Sequence, residues 1–201
     1  MQETQNQSEI KNILPDNHSR SKRKQTILDM VLIALFAAII AVCAQITIPV
    51  PPVPFTLQTL AVFLAGGLLG IKRGFFSVLI YILLGAVGVP VFAGFKGGFA
   101  ALIGPTGGYI IGFIATVLIV GFFYDKFGSK LWITAVAMFV GLLACYVFGT
   151  AWFLIVYNQT KGGMDLLKAL SLCVTPFLLF DAVKIAVAAI LCNRLHKLIK
   201  I

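Results

Sequence analysis

Asp181 and Lys184 are two charges inside an apolar stretch of membrane length, 166–195, whose centre reads LCVTPFLLFDAVKIAVAAILC. A charge at bilayer depth costs at least ~2.5–3.5 kcal/mol even on the most lenient scale. Three residues apart on a helix, the two side chains share one face. That face must turn toward a cavity, a ligand or another helix. One reading is an internal ion pair whose charges cancel. The other is a polar ligand site lined by both groups, with a carboxylate that only accepts hydrogen bonds and an ammonium that only donates them. Pro176, five residues before Asp181, is a point at which the helix can loosen.

Other residues of chemical interest lie in the segment 90–109, PVFAGFKGGFAALIGPTGGY. It is rich in glycine and carries one lysine and no acid. Irregular backbone at membrane depth is tolerated only where it is buried in protein or lines a cavity. Gly104, Gly108 and Gly112 recur every fourth residue. Close helix packing accounts for Gly112; Gly104 and Gly108, beside the loop, would also let backbone approach a ligand. Ala34 and Ala38 form a similar small-residue face, either packed internally or offered to another membrane protein.

Several chemistries are disfavoured. The chain has no G-x-x-x-x-G-K-[ST] phosphate loop, no H-E-x-x-H and no G-x-S-x-G, and its two histidines, His18 and His196, have no ligand spacing. No cofactor or metal site is expected. The four cysteines, Cys43, Cys145, Cys173 and Cys192, sit in apolar segments without C-x-x-C spacing and read as small buried residues. Cys43 is not a lipoprotein cysteine, because Val42 precedes it where a small residue is required.

The elements that position these groups are membrane spans. Hydrophobic residues make up 60% of the chain and charged residues 11%, with mean hydropathy +1.00; soluble domains average about 25% charged residues. The fold class is therefore an all-α integral membrane protein. Residues 1–26 are a polar tail that cannot bury a core and should lack structure, and 27–201 should form one membrane domain. Six transmembrane helices are expected, at about 27–48, 56–71, 75–89, 105–124, 131–157 and 166–195. The second and third, joined by a few residues around Lys72 and Arg73, should form a tight antiparallel hairpin. Four of the eight prolines fall in PVPPVPF, 49–55, a stiff extended loop.

Net charge is +9, yet nucleic acid is not the implied partner, because the basic residues flank the spans. With both termini in the cytoplasm, twelve of the sixteen Lys and Arg residues lie inside, Lys96, Lys161 and Lys168 outside, and Lys184 in the membrane. That is a strong positive-inside bias. It puts the proline loop and the glycine-rich segment outside the cell membrane.

The stretches IPVPPVPFTLQTLAVFLAG, GVPVFAGFKGGFAALIGPTGGYIIGF and FDAVKIAVA closely resemble BioY proteins, the biotin-specific S components of energy-coupling-factor vitamin transporters. The resemblance runs from the first span through the last, excluding the tail, and its most specific parts are GPTGGY and the D-x-x-K pair. It implies a six-helix S component, not an enzyme, that captures biotin from outside and works with a transmembrane coupling subunit and two ATPases. By motif, Asp181 and Lys184 are the implied substrate contacts, and Ala34 and Ala38 resemble the A-x-x-x-A docking motif. Biotin's ureido ring has two N–H donors and a carbonyl acceptor, which the pair can clamp; alternatively Lys184 meets the valerate carboxylate, and the sequence leaves both open. Phe55, Phe92 and Phe95 supply apolar walls, and Tyr109 an aromatic face with a polar tip. The competing readings are an S component for another vitamin, an intramembrane enzyme, which lacks a nucleophile–base set, and a channel.

Overall fold

The computed structural model describes residues 17–160 and 162–198 of the 201. Among these residues there are seven helices: α1 (Asn17–Gln45), α2 (Gln58–Ala86), α3 (Phe99–Ile103), α4 (Gly107–Phe127), α5 (Leu131–Thr160), α6 (Leu166–Cys173) and α7 (Thr175–Leu198). Between α1 and α2 lies a short antiparallel ribbon of β1 (Thr47–Ile48) and β2 (Phe55–Thr56). It pairs Thr47 with Thr56 and Ile48 with Phe55. α1 cannot continue through this point, because the residue before Pro49 is steered out of the helical region.

Among the described residues five helices are long and apolar enough to cross a membrane, where six were expected. The difference lies in α2, which takes up both expected spans 56–71 and 75–89. It is broken at Gly70, whose φ of 76° and ψ of −172° are open to glycine at little cost. The chain reverses there. The Gln58 side-chain amide donates to the Tyr81 hydroxyl, although residues 23 apart on a straight helix would stand ~35 Å apart. A Cβ placed on Gly74 would lie 3.0 Å from the Ala65 carbonyl oxygen. Both pairs centre on Gly70. The tight hairpin expected from the short link is therefore present, but its corner is Gly70, and Lys72 and Arg73 belong to the second arm. Arms 58–69 and 71–86 run roughly 18 and 24 Å, each short of the ~30 Å hydrocarbon core. The corner is tied to the end of α4, where Asp125 Oδ2 accepts from the Ile71 amide at 3.1 Å.

Two further boundaries differ from expectation. Residues 17–26 continue α1 rather than lacking structure; this stretch holds no Gly or Pro and is rich in Lys, Arg and Gln, which favour helix. The rest of the expected tail, 1–16, lies outside the described residues. The expected last span, 166–195, is two helices parted at Val174 (φ −124°, ψ −54°). Pro176 causes the break, since it has no N–H and its ring crowds the preceding turn.

The chain divides into the unit 1–32 and the body 33–201, and the cavity described below belongs to the body. There α4 packs against α2 on one side and α5 on the other. Phe63, Met138 and Phe153 are fully buried in this core. Large apolar residues such as Leu83, Val87, Phe139, Phe148, Leu179 and Val183 face outward, a surface that suits lipid rather than water. The protein is a multi-pass, all-helical membrane protein.

Candidate functional site

The start of α2, the strand β2 and the middle of α5 converge on Asp181 and Lys184 of α7. The two charged side chains are 2% and 6% exposed, so neither is solvated by water. They satisfy each other and their neighbours instead. Lys184 Nζ lies 2.7 Å from Asp181 Oδ1. It also donates to the Thr56 carbonyl at 2.7 Å and to Thr59 Oγ1 at 3.0 Å. These three bonds use all three ammonium protons. The Thr59 hydroxyl donates onward to Asp181 Oδ1 at 3.2 Å. Tyr146 donates to Asp181 Oδ2 at 2.5 Å. The Phe55 ring covers the ammonium at 4.2 Å from its centroid, within cation–π range. Burying two charges costs several kcal/mol each, offset only when geometry and additional hydrogen bonds are good; here they are.

This cluster forms the polar end of a cavity with about 810 Å³ of space free of atoms, part of it open to the outside. Gln58 and Thr59 line it beside the charged pair; Phe92, Ile110, Phe113 and Phe177 supply apolar walls; among the described residues Lys96 is the other charged one in the lining. Lys96 is exposed and stands at the mouth. The cavity thus has a hydrogen-bonding end, a greasy middle and a positive rim.

Some of the residues singled out in the sequence meet here, and others do not. Asp181, Lys184, Tyr109 and Phe92 line the cavity. Tyr109 holds Thr150 Oγ1 through its hydroxyl at 3.2 Å. Phe55 sits behind the ion pair, stacked on Phe177 with centroids 5.8 Å apart. Phe95 is 72% exposed and lies outside the lining. So do the two glycines. The Gly104 carbonyl accepts from Trp152 Nε1 at 3.1 Å. A Cβ on Gly108 would strike the Trp152 side chain and stand 2.8 Å from the Phe148 carbonyl oxygen. Gly108, like Gly112, lets α4 approach α5. Cys145 and Cys173 are buried in the cavity wall. Ala34 and Ala38 are exposed while Ala37 and Ile40 are buried, so the Ala34–Ala38 face points away from the body's core.

Sequence reasoning missed Tyr146, Thr59, Gln58 and Lys96. Each is a polar residue in or beside an apolar span, which is the available signal, but nothing local distinguishes them from other hydroxyl and amide side chains. It also missed how the 91–96 segment is held. Phe92 and Lys96 exchange backbone hydrogen bonds of 2.9 and 3.2 Å. Phe95, with φ 56°, is left-handed between Gly94 at 71° and Gly98 at 91°. A non-glycine residue in that region costs roughly 1–2 kcal/mol.

Comparison with known proteins places this geometry in context. The family model described as "BioY family" matches residues 17–201. "Biotin transporter BioY" of Thermotoga maritima is 44% identical over 164 residues, 82% of this chain and 93% of that protein. "Probable biotin transporter BioY" of Pyrococcus horikoshii is 45% identical over 165 residues, 82% of this chain and 94% of that protein. Among solved structures, the crystal structure of the S-component for biotin from an ECF-type ABC transporter matches with TM-score 0.78 and 30% identity. It covers 87% of this chain and 93% of that one.

Proposed function

The chain belongs to the BioY family, and we propose that it captures biotin from outside the cell membrane as the substrate-specific subunit of an energy-coupling-factor transporter. The observation that carries this reading is the polarity profile of the cavity: a hydrogen-bonding end, an apolar middle and a cationic mouth. Biotin has the same order of parts, with a ureido ring, a thioether ring and aliphatic chain, and a carboxylate. Asp181 takes one ureido N–H on its remaining lone pair, and the free N–H of the Gln58 amide donates to the ureido carbonyl. The reverse orientation, with the carboxylate on Lys184, is disfavoured. Lys184 already uses its three protons within the protein, and an anion there would lie beside the Asp181 carboxylate. Lys96 is the better partner for the carboxylate.

In this reading the protein has no ATPase activity and takes its energy from a transmembrane coupling subunit and two ATPases. The Ala34–Ala38 face is the docking surface. Counting each arm of the α2 hairpin as a pass makes six passes, with both termini cytoplasmic, and no resident cofactor is required.

The test is saturable binding of one biotin per purified chain, with biotinamide as the uncharged comparison. Lys96→Gln should weaken biotin by about tenfold, the loss of a charge-assisted contact at an exposed site, and leave biotinamide unchanged. No saturable biotin binding to the wild-type protein overturns the reading of the ligand. An unaltered preference for the acid in Lys96→Gln overturns the orientation.

A further inference from the structure

Gln45, the last residue of α1, lies outside the polar cluster, yet its side-chain amide is committed to one segment of the cavity wall. Nε2 donates to the Val91 carbonyl at 3.2 Å and to the Phe92 carbonyl at 3.2 Å. Oε1 accepts from the Phe95 amide at 2.9 Å. The three contacts fix the orientation of the amide. Turned over, it would set an oxygen against two carbonyls and an NH2 group against an N–H. A single side chain thus holds backbone groups across residues 91–95. Phe92, 2% exposed, forms part of the cavity wall and meets Tyr81 edge-on at 5.5 Å between centroids. Lys96, at the other end of the segment, stands at the mouth. Phe95 keeps its left-handed conformation while its N–H is bound to Gln45.

We infer that Gln45 is a positioning residue for ligand binding. Its carboxamide clamps the 91–96 segment, so that the Phe92 wall and the Lys96 cation stand where the bound molecule meets them. This rests on the biotin reading above and adds to it a residue that touches no ligand. The segment closes one side of the cavity, so its release opens a way out for a bound molecule. Loss of the clamp therefore acts on the dissociation rate more than on association or on the number of sites.

The experiment compares the full-length wild-type chain with Gln45→Leu, which keeps the bulk and removes the three hydrogen bonds to the segment together with the amide's contact to the Ala41 carbonyl. Radiolabelled biotin gives stoichiometry and both rate constants. A nitroxide on Phe95→Cys, in a background with the four native cysteines replaced, reports motion of the segment. The expected result is a dissociation rate raised by about tenfold or more, from two to three lost hydrogen bonds of ordinary net strength. Stoichiometry should hold at one per chain, with a more mobile nitroxide before ligand is added. Gln45→Glu keeps the acceptor for Phe95 and loses both donors, so its dissociation rate should fall between the two. A Gln45→Leu dissociation rate equal to wild type overturns the inference, whatever the nitroxide shows. A lowered stoichiometry with an unchanged dissociation rate assigns Gln45 to folding and also overturns it. If Gln45→Leu does not fold, Gln45→Glu is judged by the same criteria. If the wild-type protein binds no biotin, the ligand reading falls separately, and an unchanged nitroxide spectrum then removes the clamp.

Discussion

Replacing the buried ion pair one partner at a time, and then both together, separates its two possible roles. Lys184→Met leaves Asp181 at 2% exposure with only Tyr146 and Thr59 as donors. Breaking a buried pair in this way costs about 3–5 kcal/mol, because an uncompensated charge remains. Asp181→Asn leaves the ammonium with Thr56 and Thr59 and should destabilise for the same reason. The double variant removes both charges and keeps an amide that accepts from Tyr146. Its stability should return to within ~1–2 kcal/mol of wild type, since neutral replacements of a buried pair are often tolerated. Binding should not return. A ligand N–H that loses a charged acceptor forfeits roughly 1.5–3 kcal/mol, about 10- to 150-fold in affinity. Thermal unfolding in detergent gives the stability arm, and equilibrium binding of biotin gives the other. A double variant that binds like wild type would refute the reasoning, for the pair would then serve the fold alone. A Lys184→Met protein as stable as wild type would refute the electrostatic part.

Ala38→Trp, on the exposed face of α1, should leave biotin binding by the isolated protein intact and abolish ATP-driven uptake by the assembled complex, because close helix approach needs small residues; full uptake would remove this face from the docking interface. Gly70→Ala puts a side chain at φ 76° and drives its Cβ into the Asp125 carboxylate, so the thermal midpoint should fall, with at least ~1–2 kcal/mol lost to the left-handed conformation. An unchanged midpoint would mean that the corner relaxes freely.

The features legible in the sequence are those set by neighbours along the chain. Hydropathy marks membrane segments because each helix satisfies its own backbone. Asp181 and Lys184 could be paired because a three-residue spacing on a helix brings side chains together wherever that helix lies. Phe92 and Tyr109 could be singled out because both fall in the glycine-rich segment 90–109, whose composition marks it as cavity-lining backbone. The hairpin in α2 was inferred from a short link, but its corner was not, since only the approach of Asp125 and the reversed packing of the two arms single out Gly70 from the other glycines.

What tertiary structure decided is everything that joins distant residues. Thr59 and Asp181 are 122 positions apart in the chain, and Gln45 and Phe95 are 50 apart. No periodicity links such pairs; they meet because α2, α5 and α7 converge and because the end of α1 stands beside the 91–96 segment. The same physics sent Gly108 and Phe95 elsewhere. A glycine in a packed helix is taken up by the nearest neighbouring helix, here α5, and an aromatic at a loop tip is turned outward by the backbone on which it sits. Composition determined that the protein lives in a membrane and where its charges were worth attention. Helix packing determined which polar groups those charges meet and what space they enclose.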